Sequence, residues 1–421
     1  MSTKPSISIT SQRRTYLQDL AKQVAELAAG NAQTQRRANA IAINSLESRQ
    51  PSLVVSPEGA WREILPAESL RLAGLDPYAG FEHYLLQRLF LANVAKDDTP
   101  IDDLLPVGIS TQISGFGVEI PQHKAESHGS YHWDPPIVDL RADIKRLVKR
   151  TFTYDAATTL ANLAIAHELF DGILRVVPRA GLFWTSGLTW ECIKLRGLEQ
   201  FMMDMYDDPE GLHALMAWLR DDQLQLMDQM ENAGIVDSNS VCNHIGSGGI
   251  GLTSRLPTAD PQVQGYKQHV GFKGRWGLSE SQETVGVGPE MFKDFILPYQ
   301  APIFARFGLL YYGCCEPLDQ RLNLILPLAP NLHAISVSPW SDAALLYGLV
   351  GRRQVMCVKP NPAHVCVGFN EEAVRASFRK TLDGARDGVL QFVLKDTHTI
   401  ENEPERFARW VQIGREEIAR R

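Results

Sequence analysis

Two adjacent cysteines followed at once by a carboxylate, in the run YYGCCEP from Tyr311 to Pro317, are the residues of this chain best placed to do chemistry. Neighbouring Cα atoms lie too close for ordinary disulfide geometry, so Cys314 and Cys315 read as free thiols. Two thiols beside Glu316, at the end of the apolar run GLLYYG, suit a soft metal ion or a nucleophilic sulfur, with Gly313 letting the backbone turn just before them. A buried small hydrophobe is the other use of such a cysteine. A metal would hold the thiols as thiolates. Without one, Lys359 or Lys395 nearby could depress a thiol pKa and leave the sulfur nucleophilic. If the strand runs regularly to Cys315, alternation places the two sulfurs on opposite faces.

Further candidates follow other apolar runs. Glu280 and Glu283 bracket Ser281-Gln282, and by alternation Glu280 shares a face with Gln282. Glu280 suits a proton donor or acceptor, a buried ion pair with Arg275 being the alternative. Lys359 and Asn361 in VKPNP, with Lys395 of LKDTHT, suit an anion site, unless Lys395 simply pairs with Asp396. His398 in the DTHT tract is either a metal ligand joining Cys314 and Cys315 or a turn residue. The segment ESHGSYHWDPP, Glu126 to Pro136, is dense in His and aromatic residues. Its Gly and Pro argue for a loop, one that either brings His132 and Trp133 to a substrate or forms part of the ordered surface. Glu191, His244, Tyr312 and Trp340 complete the set of candidate substrate-binding residues at strand exits, Glu191 and His244 doubling as reserve metal ligands.

The elements that must position these residues alternate. Apolar strands are predicted at 104–111, 177–185, 234–241, 274–281, 308–315, 333–339, 354–360 and 390–396, with helical segments between most of them. Eight such strands imply parallel pairing and an α/β fold, a single (β/α)8 TIM-type barrel over residues 101–421. Residues 1–100 read as an N-terminal helical extension, with helices over 15–48 and 81–95. No glycine-rich phosphate loop follows the first strand, which disfavours a doubly wound open sheet. In a barrel the strand exits form one rim, where the candidate residues would meet.

The 421 residues carry a net charge of −7 and no basic run, which argues against nucleic acid as a partner. No apolar stretch is long enough to span a membrane, and the first residues lack the apolar core of a signal peptide. Six cysteines in such a chain read as reduced thiols, and the cytoplasm is the expected compartment.

Two blocks carry a resemblance. GLFWTSGLTWECIKLRGLEQFMMDMYDDPEGL is similar to the "DLYEDPE" region of the uroporphyrinogen decarboxylase-like superfamily, and SESQETVGVGPEMFKDFILPY resembles its "SPEMFREFVLPY" segment. The likeness runs from about Val177 to the C-terminus and implies a single (β/α)8 barrel, commonly in a homodimer. The superfamily holds a porphyrinogen decarboxylase and zinc-dependent methyltransferases that use corrinoid proteins. The decarboxylase's arginine-rich substrate motif is missing here, which turns the expectation away from porphyrinogens. The methyltransferases' zinc motif, H-x-C-G, falls on Tyr312, Cys314 and Cys315, and Lys395, Asp396 and His398 stand where a later cysteine ligand belongs. The resemblance therefore implies a zinc-assisted methyl or one-carbon transferase, with a corrinoid protein as possible partner and a small molecule as substrate. A cofactor-free decarboxylase or lyase acting on a small organic acid through Lys359, Lys395 and Glu280, and a non-enzymatic ligand-binding barrel, are the alternatives.

Overall fold

A computed structural model describes residues 9–124 and 131–420. Eight strands in parallel pairings lie among them. We number these β1 Ser52–Val55, β2 Leu104–Gly108, β3 Arg175–Arg179, β4 Trp276–Ser279, β5 Leu309–Tyr312, β6 Leu332–Val337, β7 Val355–Val358 and β8 Val389–Leu394. Six form one parallel sheet in the order β1-β8-β7-β6-β5-β4, while β2 and β3 pair with each other. Helices separate most of them, as parallel pairing requires. The architecture is α/β and compatible with a TIM-type fold.

Two strand expectations change. Ser52–Val55 is a strand inside the region read as a helical extension, and it pairs in parallel with β8, Val54 opposite Val393. The stretch 234–241 contains no strand. Its Asn239 side chain instead satisfies the backbone of Trp276, accepting from the Trp276 N–H at 2.8 Å and donating to its carbonyl at 3.2 Å. At the other margin of the sheet the Asp98 carboxylate accepts from the Leu53 N–H at 2.9 Å, and the Asp98 N–H donates to the Leu53 carbonyl. Both outer strands thus find side-chain partners for backbone groups that no strand takes up.

The sheet is apolar on both faces, as a buried parallel sheet must be. Leu53, Val55, Leu310, Tyr312, Ile335, Met356, Val358, Phe392 and Leu394 join the core built with the helices. The alternate residues Val54, Leu278, Tyr311, Ala334, Cys357 and Val393 face Ile245 and Ile250. Those two isoleucines belong to a short hairpin, His244–Ile245 paired with Gly249–Ile250, that packs against the sheet. Its tip, Gly246-Ser247-Gly248-Gly249, fits because side chains are missing. A Cβ on Gly246 would meet the Tyr311 ring at 2.6 Å, and one on Gly248 would meet Val393 at 2.8 Å. Both have positive φ, 55° and 117°.

The N-terminal helices Ser11–Ala29, Asn31–Asn44 and Tyr78–Phe90 follow their apolar spacing, and the first and third pack with Ala156–Phe170 around Leu17, Phe81 and Phe170. Between β3 and β4 the helical chain breaks at Asp208-Pro209, between Leu198–Asp207 and Pro209–Asn232. There Asp208 caps Pro209–Asn232 by accepting from the Gly211 N–H, and Pro209 occupies the first turn. Among the described residues no helix is long and apolar enough to cross a membrane.

Candidate active site

β5 ends at Tyr312, and Gly313, at φ 97°, turns the chain. Alternation therefore stops before the cysteines. Cys314 and Cys315 point together, their sulfurs 3.6 Å apart, rather than to opposite faces as a regular strand would place them. Glu316 fixes this turn to the exit of β4. Its carboxylate accepts from the Cys314 N–H at 2.8 Å and from the Ser281 N–H at 2.9 Å. On the far side, the Cys314 carbonyl accepts from the Ser336 hydroxyl at 2.6 Å and from the Lys359 ammonium at 2.8 Å.

The glycine-rich hairpin delivers Ser247 into this cluster. Lys359 Nζ donates to Ser247 Oγ at 2.5 Å, Lys395 Nζ lies 3.4 Å from the same oxygen, and Ser247 Oγ donates to Cys314 Sγ at 3.2 Å. The Cys315 thiol, and then Lys359, Lys395 and the Ser247 hydroxyl, bring the Cys314 thiol down to about 6 against the cost of burial. Cys315 moves the other way, held protonated first by the sulfur it bonds and then by burial. One thiolate is shared by the pair, and it is centred on Cys314. Burial lowers Lys359. It opposes the charge on Lys395 as well, but there Asp396 and Glu58, at 3.2 and 3.6 Å, outweigh it and keep the ammonium.

Close enough to feel the charge on Cys314 is a carboxyl whose own pKa is raised. Glu280 is fully buried, Oε2 accepts from the Gln282 N–H at 2.9 Å, and Oε1 has no hydrogen-bond partner. Burial, with Glu283, Glu316 and the Cys314 thiolate nearby, raises its pKa to about 9. Gly187 makes room for it, since a Cβ there would meet Glu280 Oε1 at 2.7 Å. Glu316, buried but bonded by two N–H groups, rises only to about 7. Glu280 does not pair with Arg275, whose guanidinium bonds Asp237.

The structure thus brings together Glu280, Cys314, Cys315, Lys359 and Lys395. It places the other candidates elsewhere. Tyr312 is buried on the helix-facing side, its hydroxyl beside Ser281 and Gln300, because it precedes the turn and keeps the strand's alternation. Glu191 is taken by Lys194 at 2.5 Å and Arg150 at 3.6 Å. His244 starts the hairpin, and burial lowers it to about 4, so the ring is neutral. Trp340, 71% exposed, and Asn361 line a cavity of about 430 Å³ together with Lys359. A larger cavity, about 940 Å³, lies among Arg37, Asp103, Arg175 and Asp260, but both arginines in it are already bonded.

His398 is exposed, set against the backbone of Gly59, because the Thr397 hydroxyl ties this turn to the Ser56 and Pro57 carbonyls. It does not join the cysteines. Two sulfurs 3.6 Å apart match the separation of two ligands on one tetrahedral zinc ion. Among the described residues, however, no third ligand atom stands within reach of both, and two ammonium groups crowd the position. The set Cys314, Cys315 and His398 does not fit a zinc site.

His132 lies on another hairpin, Gln122–Lys124 paired with Tyr131–Trp133, where Trp133 packs edge-on against Trp190 at 5.1 Å. His128 falls outside the described residues. Sequence reasoning missed Ser247 and Glu58. The signal for Ser247 was available in IGSGGIG, a glycine density that only a close backbone approach requires.

No protein-family model matches the chain, and no curated protein matches it significantly. Among solved structures it is similar to a methyltransferase from Methanosarcina mazei, at 14% identity and a TM-score of 0.49, covering 90% of this chain and 98% of that one. A likeness of that depth carries no argument about activity, and the functional reading rests on the geometry.

Proposed function

We propose that this chain is an enzyme that transfers a small carbon group, of the methyl or one-carbon kind, through the thiolate of Cys314. We read its fold as a (β/α)8 barrel in which the segment around Asn239 takes the place of a strand beside β4. The observation that carries the reading is one constellation: the Cys314 sulfur in contact with Cys315 and Ser247, with Lys359 and Lys395 on the same Ser247 hydroxyl, and the buried Glu280 nearby.

The chemistry follows from the two protonation states. Cys314 Sγ attacks an electrophilic carbon, a carbon–sulfur bond forms as the bond to the leaving atom breaks, and Glu280 gives its proton to that atom. A protonated nucleophilic acceptor then attacks the same carbon, the carbon–sulfur bond breaks to restore the thiolate, and the acceptor's proton returns to Glu280. Cys315 and Ser247 donate to the sulfur and hold it in place. The ammonium of Lys359 keeps the thiolate charged. Its bonds to Ser247 and the Cys314 carbonyl leave it poorly placed to condense with a carbonyl substrate, which weighs against the lysine-centred lyase. Both groups are correctly protonated between about pH 6 and about pH 9, so activity should be bell-shaped across that range.

Iodoacetamide labelling followed by peptide mass spectrometry tests the nucleophile. The reading expects Cys314 to be modified first, with a midpoint near pH 6. Labelling spread evenly over the cysteines, or a midpoint near that of a free thiol, would remove the basis of the reading.

A further inference from the structure

The hairpin that carries His132 holds a second group of metal-ligating residues, apart from the thiol cluster. Its register sets His123 directly opposite His132. Cross-strand partners project to one face, and Asp134, two residues beyond His132, projects to the same face. The two imidazoles stack at 4.8 Å between centroids with an interplanar angle of 22°. His123 Nε2 lies 2.7 Å from Asp134 Oδ2, and His132 Nε2 lies 4.0 Å from Asp134 Oδ1. One ligand atom from each residue lies within 4.8 Å of the other two, and no other such trio occurs among the described residues. The side chains are 52%, 74% and 60% exposed, so the group is open to solvent.

We propose that His123, His132 and Asp134 form a binding site for a borderline divalent cation, Zn²⁺ being the occupant to which we commit. Imidazole nitrogen and carboxylate oxygen are its ordinary ligands, at about 2.0–2.2 Å. Two donors at that length on a tetrahedral ion stand about 3.4 Å apart. The three ligand atoms lie within 4.8 Å of one another, so side-chain shifts on the order of 1–2 Å would bring them to that spacing. Three protein ligands leave a fourth position for water or for an oxygen or nitrogen of a small molecule. His123 has its hydrogen bond with Asp134, while His132 stands beyond hydrogen-bond length from that carboxylate with its ring over His123, which leaves its Nε2 free of that oxygen and within reach of a shared ion.

A chain of contacts links the hairpin to Glu283. Trp133 packs on Trp190, and the neighbouring Thr189 hydroxyl donates to Glu283 at 2.7 Å. The proposal does not rest on the reading of Cys314, and its test keeps the two apart.

The test uses the full chain, freed of any tag and stripped of metal, carrying Cys314→Ser and Cys315→Ser so that these thiols cannot supply the signal. Zinc is titrated against a chromophoric chelator, with and without an added His132→Ala. That substitution spares the His123–Asp134 hydrogen bond, and circular dichroism confirms equal helix content. The expected result is about one zinc per chain at micromolar affinity, weakened on the order of ten-fold or more by His132→Ala. Cobalt(II) in the same protein should give weak visible bands with no intense thiolate charge-transfer band. Absence of zinc binding at micromolar concentration, or equal affinity with and without His132, would overturn the proposal.

Discussion

The thiol cluster and the histidine hairpin both gather ionisable side chains, in opposite surroundings. Cys314 and Glu280 are buried at 3% and 0% exposure, held by backbone N–H groups and fixed side chains. His123, His132 and Asp134 stand largely in solvent, arranged by strand register, one hydrogen bond and ring stacking. Burial raises both thiols, and the hydrogen bond between the sulfurs overrides it at Cys314 and adds to it at Cys315, so the two part in opposite directions although they are adjacent. On the hairpin the environment is close to water, and convergence of donors is the feature that matters. A reactive group is made by its bonded neighbours, a binding group by convergence.

The comparison can be broken most severely at Cys314. Cys314→Ser should abolish the iodoacetamide labelling that has its midpoint near pH 6. Cys315→Ala should keep the labelling of Cys314 but raise its midpoint above about 6, because the thiol that donates to it is gone. An unmoved midpoint would assign the depression to the lysines and the Ser247 hydroxyl. The next effect belongs to the hairpin tip. Gly246→Val drives a side chain into the Tyr311 ring at positive φ, and should cost about 3 kcal/mol in denaturant unfolding. Lys359→Met should raise the Cys314 midpoint and slow alkylation below that midpoint about ten-fold for each pH unit of the rise.

Glu280 gives a smaller, pH-dependent effect. Its carboxyl titrates at about 9 in the fold against the ordinary 4.5, so between those values the folded chain keeps a proton that the unfolded chain releases. Its contribution to stability is complete below about pH 4.5 and is lost as pH rises towards about 9, at no more than ~1.4 kcal/mol per pH unit. Glu280→Gln should flatten that slope in urea unfolding measured across the range, and an unchanged slope would mean Glu280 is ionised. The least effect is expected at the exposed hairpin. His123→Ala should change stability by no more than about 0.5 kcal/mol without metal, and a larger loss would show that the hairpin is structurally important in its own right.

Much of this was legible in the chain. The apolar runs around Leu309–Tyr312, Leu332–Val337, Val355–Val358 and Val389–Leu394 announce a buried parallel sheet, and Gly313 announces the turn before the thiols. SLVV, at four residues, is too short for its pattern to separate it from the end of a helix. The stretch 234–241 begins apolar like a strand, yet its Asn239 meets Trp276 through its side chain. Long-range placement was out of reach: nothing local shows that Ser247 will meet Cys314 across 67 positions. Nor does anything local show that Thr397 will anchor the DTHT turn to the Ser56 and Pro57 carbonyls and so leave His398 in solvent.

The side-chain closures at Leu53 and Trp276 bear on how this chain meets other chains. An exposed strand edge is a template on which a foreign strand can align and on which aggregates grow. Here an arriving strand would first have to expel the Asp98 carboxylate from one margin or the Asn239 amide from the other. It would then strand a carboxylate or amide whose hydrogen bonds it had taken, which costs free energy at either margin. The molecule is therefore a poor seed for strand addition at both margins of its main sheet.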